Sequence, residues 1–196
     1  MAPSNTPPAE TETETESAAP RLPAVTERFV LHWGEMGSRW GVNRTMSQIH
    51  ALLFVTGRPM NADELCEQLG VARSNVSNSL RELQGWGLVK VVHLLGDRRD
   101  HFETSGDVWD LLRTIVRGRK QREFDPTIVT LRECLAHPDL PRESALSRQR
   151  IQETLVLMET TSTWVDEMLR LPPETLVKIM KLGAKIQSLL RGKAKL

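Results

Sequence analysis

Apolar residues recur at steps of three and four from Val25 onward, and the rhythm breaks once near the middle of the chain. Val25, Phe29, Trp33, Met36 and Trp40 trace one face of a helix that Gly41 stops. A second helix opens at Asn43 or Thr45, both capable caps, and buries Met46, Ile49 and Leu53 before Gly57. Pro59 breaks the chain. Asn61 with Glu64 then forms a capping-box-like start to a short helix carrying Leu65 and Leu69 and closed by Gly70. The next helix follows almost at once, from about Ala72 to Gln84, with Val76, Leu80 and Leu83 on its buried face. Gly85 and Gly87 end it.

The run Leu88 to Leu95 is rich in β-formers, Gly96-Asp97 marks a tight turn, and His101 to Thr104 can return as the second strand of a hairpin. Helical spacing then resumes. Asp107 to about Glu123 places Val108, Leu112 and Ile115 on one face, with Gly118 loosening its end. Asp125-Pro126 reads as a cap followed by a proline at the first helical position, opening a helix to about Ala136. After Pro138 and Pro141 a long helix carries Ile151, Leu155, Met158, Val165 and Leu169. Pro172-Pro173 separates it from a last helix bearing Leu176, Ile179, Gly183, Ile186 and Leu190. The expected fold is mainly α with a small β-hairpin wing.

The order of these pieces carries the functional reading. Two helices joined by the short turn Leu69-Gly70-Val71-Ala72, a glycine break and then a hairpin make a winged helix-turn-helix. On the second helix the core leaves over Arg73, Ser74, Asn75, Ser77, Asn78 and Arg81. These short hydrogen-bonding groups and two guanidinium groups suit base edges in a major groove. An ordinary solvated face would carry more Glu and Lys, which favour helices over Asn and Ser. At the hairpin tip Asp97-Arg98-Arg99 sets two cations where they can reach phosphates or the minor groove, with Asp97 able to pair with Arg99 and hold it in pose. The alternative is a charged turn kept for solubility. Double-stranded DNA is therefore the expected partner.

The 196 residues fit one ordinary domain or a small domain with an appendage. A net charge of +1 removes any basic signature from the whole chain, so the distribution of charge matters instead. Acids crowd the first residues at Glu10, Glu12, Glu14 and Glu16, among prolines and threonines. Such a stretch cannot bury enough apolar surface to offset its ordering entropy. Residues 1–22 are expected as a disordered acidic tail, 23–106 as the winged helix-turn-helix DNA-binding domain, and 107–196 as a helical dimerisation and effector region. Cys66 and Cys134 stand apart without a metal-like cluster, so neither a disulfide nor a metal site is expected. No signal peptide and no apolar run of roughly 18 residues is found, so a cytoplasmic protein without a membrane partner is expected.

The stretch from about Phe29 to Glu123 resembles the MarR superfamily of regulators and, within it, the GbsR-like branch. The resemblance rests on Leu65 to Ser77 (LCEQLGVARSNVS), on Leu80 to Val89 (LRELQGWGLV), and on Asp97-Arg98-Arg99 as the Asp-x-Arg pattern of MarR wings. It implies an α-rich homodimer whose wings and recognition helices engage a palindromic operator, with repression relieved by a small molecule. Two departures stand out: Ala72 occupies the place of a Ser or Thr cap, and the return strand between Arg99 and Gly106 is short.

GbsR-like proteins are associated with choline and osmoprotectant metabolism, which raises an aromatic cage for a quaternary ammonium effector. Trp33 and Trp40 lie on one helix face and are the candidates, although tryptophans on an apolar stripe serve equally as core. Thr160-Thr161-Ser162-Thr163 beside Trp164 either line a pocket or face solvent. A redox switch at Cys66 would need a lowered thiol pKa, and no cationic neighbour is evident. No GxSxG, P-loop, dinucleotide fingerprint or His-x-x-x-His occurs, so neither an enzyme nor a cofactor is expected. The other open class is a winged helix used as a protein-interaction module, which an apolar recognition face would favour.

Overall fold

The computed structural model describes residues 22–193, with side chains to residue 183. The expected tail, but for Leu22, and the side chains of Ile186 and Leu190 lie outside the described residues. The chain divides into two compact units: residues up to Leu80 with Val92–Phe102, and Arg81–Val91 with Glu103 onward. The fold is mainly helical with a small antiparallel sheet, as the periodicities led one to expect.

The first unit begins with α1 (Ala24–Arg39) and α2 (Arg44–Thr56). Asn43 caps α2 by accepting the Met46 N–H at 3.1 Å. Gly57 ends it in the left-handed region at φ 61°, which suits a residue without Cβ. The helices meet where α1 has no side chains. A Cβ added to Gly37 would lie 2.7 Å from Ser47 Cβ, and one on Gly34 would lie 2.6 Å from Gln48 Cγ. The buried face of α1 is therefore Val30, Gly34 and Gly37. This corrects the expected stripe: Val25 is 83% and Trp40 60% exposed, while Phe29, Trp33 and Met36 flank the contact half-buried. Glycines bring the backbones together, and a count of apolar side chains does not register them.

After α2 the chain enters β1 (Met60–Asn61) and then α3 (Ala62–Leu69). Asn61 accepts the Asp63 and Glu64 N–H groups, and Glu64 accepts the Asn61 N–H at 2.8 Å, which completes the capping box. Gly70, at φ 62°, turns the chain toward α4 (Arg73–Gly85). The core gathers Met46, Ile49, Leu52, Leu53, Met60, Leu65 and Val76, all fully buried. The hairpin is built from β2 (Lys90–Val92) and β3 (His101–Glu103). The expected strand from Leu88 to Leu95 is thus cut to three residues, and Leu94 and Leu95 are exposed in the loop. The sheet runs β1-β3-β2, with Met60 opposite Phe102 and Asn61 opposite His101. A hairpin alone was expected, and β1 supplies a further strand.

In the second unit, Asp107 caps α5 (Val108–Arg119). Its buried residue is Leu111, while Val108 and Leu112 are exposed, one position off the expected face. A π-helical turn (Lys120–Phe124) leads directly into α6 (Asp125–Ala136). Asp125 therefore does not cap. It is helical at φ −62°, and its N–H bonds the Lys120 carbonyl five residues back. Pro126 brings no N–H and crowds the preceding turn, and the wider π-turn accommodates it. A short 3-10 turn (Leu140–Arg142) precedes α7 (Ala145–Arg170), which Ser144 caps, and α8 (Pro173–Lys193) follows. Arg132 joins α6 to Glu159 of α7 at 2.6 Å. Leu155 and Leu169 of the α7 stripe are buried, and Ile151, Met158 and Val165 are half-buried.

Candidate nucleic-acid interface

The helix that would read bases owes its position to three apolar side chains. Val76, Leu80 and Leu83 of α4 are buried, which turns Arg73, Ser74, Asn75, Asn78 and Arg81 outward. Ser77 lies at the edge of that face, half-buried. The helix starts without a side-chain cap: Ala72 precedes it, and its carbonyl takes the Asn75 and Val76 N–H groups. Arg73 forms an ion pair with Asp63 in the first turn of α3, a partner the sequence did not single out. Both side chains are exposed, and such pairs contribute little.

The wing tip is already organised. Asp97 accepts the Arg99 backbone N–H at 3.0 Å and its guanidinium through Nε at 3.0 Å and a terminal nitrogen at 2.5 Å. These bonds hold the Asp97 carboxyl well below the usual carboxylate range. Behind it His101, almost fully buried, turns Nδ1 to the Arg99 carbonyl at 3.0 Å. Sequence reasoning missed His101, since a histidine in a short strand carries no signal of its own. Arg98 is exposed beside this clamp. At the hairpin's base Lys90 and Glu103 pair at 2.9 Å, and Thr104 Oγ1 donates to the Leu88 carbonyl.

The other candidates are placed as follows. Trp33 stacks on Phe29 with centroids 5.3 Å apart, and Trp40 caps the end of α1 in solvent. Ser162 is buried, while Thr160, Thr163 and Trp164 are exposed. Burial pushes the Cys66 thiol up, away from the thiolate a redox switch requires. Among the described residues no group of His, Cys, Asp and Glu could hold a metal ion, and no helix is long and apolar enough to cross a membrane.

Residues 40–100, spanning α2 to the wing tip, match the sequence model of the MarR family. The matched stretch resembles the winged helix of that family. The Bacillus subtilis (strain 168) protein YvaV, named as an HTH-type transcriptional regulator, is 20% identical over 146 residues, covering 71% of this chain and 79% of its own. A crystal structure of a transcriptional regulator superposes with a TM-score of 0.58 at 20% identity, over 74% of this chain and 95% of its own. That likeness bears on the fold. The MarR match agrees with the expectation that the chain is not an enzyme.

Proposed function

We propose that this chain is a sequence-specific, double-stranded DNA-binding transcriptional regulator of the GbsR-like branch. In this reading it works in the cytoplasm as a homodimeric repressor of a palindromic operator, relieved by a small-molecule effector. The observation that carries it is the outward face of α4. Arg73, Ser74, Asn75, Asn78 and Arg81 are exposed around a buried apolar spine, beside a wing whose Asp97–Arg99 clamp leaves Arg98 outward. A protein-docking module would instead present an apolar face there.

Two-fold symmetry would set a pair of such helices against a palindrome. Exposed Leu31 on α1, Leu146, Leu157 and Trp164 on α7, and Met180 and Leu182 on α8 supply apolar surface for a second subunit. Trp33 and Trp40 are the aromatic faces offered to an effector. Sedimentation at micromolar concentration tests the dimer, and a stable folded monomer would refute it.

The direct test is selection of genomic DNA by the full chain, followed by titration of Asn78→Ala and Arg98→Ala against the selected and a scrambled duplex at two salt concentrations. Loss of a base contact at Asn78 costs about 1–3 kcal/mol and shrinks the ratio of selected to scrambled affinity. Loss of Arg98 weakens both and flattens the salt slope by about one unit. A selection profile without enriched sites would refute sequence-specific binding. A ratio that follows the wing and ignores the helix would refute the assignment of recognition to α4.

A further inference from the structure

The Arg122 guanidinium lies over the Trp86 ring, its Cζ 3.7 Å from the centroid. Trp86 directly follows α4, and its backbone N–H donates to the Glu82 carbonyl at 3.0 Å, so its backbone continues from the end of that helix. Arg122 lies in the π-turn between α5 and α6, where its backbone leaves the ordinary helical path. Space for the guanidinium is provided one turn earlier. A Cβ at Gly118 would stand 2.8 Å from a guanidinium nitrogen of Arg122, so a side chain there would press on the stacked group. The π-turn is itself tied down: Lys120 Nζ donates to Asp125 at 2.9 Å and pairs with Asp166 of α7 at 3.3 Å. Trp86 is thus joined by a π contact to the π-turn, and the π-turn by ion pairs to Asp125 and to Asp166 of α7.

The geometry points to Trp86 and Arg122 as positioning residues that fix the C-terminal end of the recognition helix to the π-turn, and so sharpen DNA recognition without touching DNA. The inference rests on the DNA-binding reading above. Cation–π contacts at exposed sites correspond to about a two- to fivefold effect on an equilibrium constant. A latch of that size has little effect on whether α4 forms. It acts on how narrowly the helix is held.

The test uses the full chain and a duplex it has selected from a random-sequence library, with a scrambled duplex alongside. Arg122→Gln and Trp86→Leu are each expected to lower affinity for the selected duplex about two- to fivefold and to leave scrambled binding almost unchanged. The double variant should lose no more than either single one, and Arg122→Lys, which keeps the cation, should restore most of the ratio. Trp86→Phe, which keeps an aromatic face, should likewise restore most of the ratio, and Arg122→Gln carries the test if Trp86→Leu fails to fold. Additive losses in the double variant, or equal losses on both duplexes, would overturn the proposal. So would variants that bind like the wild type, and in that case the DNA-binding reading survives. A wild-type chain that selects no duplex would remove that reading and the proposal together.

Discussion

Between about pH 6.5 and pH 4, acid should destabilise this protein through a buried histidine. His50 lies in α2 at 4% exposure, its ring stacked 6.3 Å from that of Phe54. Burial lowers its pKa from 6.5 to about 4, because an imidazolium in that position loses its hydration. The folded chain thus holds a neutral ring, while the unfolded chain takes up a proton once the pH drops below 6.5. The unfolded state binds more protons over that interval, so stability rises with pH there. The contribution is complete above pH 6.5 and is lost as the pH falls through the folded value near 4. Fully developed it amounts to about 3 kcal/mol, of which about 2 kcal/mol is already lost at about pH 5. Urea unfolding of the wild type and of His50→Leu, at about pH 7.5 and about pH 5, measures it. Carboxylates common to both proteins cancel in the difference between the two pH responses. The wild type should lose about 2 kcal/mol more than the variant. Equal losses would refute the burial argument.

Gly37→Ala should destabilise the fold by about 1–3 kcal/mol despite the higher helix propensity of alanine, because the new Cβ would meet Ser47 Cβ at 2.7 Å. Thermal unfolding checks this, and an unchanged or raised midpoint would contradict the close crossing of α1 and α2. Asn61→Ala should cost about 0.5–2 kcal/mol through loss of the capping box, with a smaller loss on Glu64→Gln, which keeps a neutral acceptor for the Asn61 N–H. Chemical denaturation orders the two variants. Asp97→Ala should weaken DNA binding more than its removal of a negative charge would suggest: the charge change favours DNA, but Arg99 loses its clamp. A gain in affinity for the selected duplex would show that the clamp does not matter.

Local signals were the ones legible in the sequence. Asn43, Asn61 and Gly70 each act within one turn of their own position, and each caps or turns the chain where the residue type led one to expect. The buried spine of α4 was legible for the same reason, since Val76, Leu80 and Leu83 repeat on a single helix. What escaped depends on partners distant in sequence or on backbone alone. β1 is two residues long, too short for a period of two to register, and it exists because β3 pairs with it from forty-two residues away at Met60 and Phe102. The close approach of α1 and α2 is made by glycines. The π-turn was misread because Asp-Pro has the same letters at a helix start and at a helix joint, and only the dihedral angles of Asp125 tell them apart.

Helix α4 is a weak helix by its own sequence. Ser74, Asn75, Ser77, Asn78 and Ser79 are poorer helix formers than the Ala, Glu or Lys that a surface helix otherwise carries, and Ala72 offers no side-chain cap. Tertiary contacts must therefore supply the order that propensity does not. They come chiefly from beneath, where Val76, Leu80 and Leu83 are buried, while Asp63 on Arg73 at the start and Arg122 on Trp86 just past the end add little to whether the helix forms. Ser74 and Asn75, exposed on the outward face, are not part of that spine. A change at Asn75 should accordingly alter the DNA preference with little effect on stability, whereas a change in the spine beneath it should do the reverse.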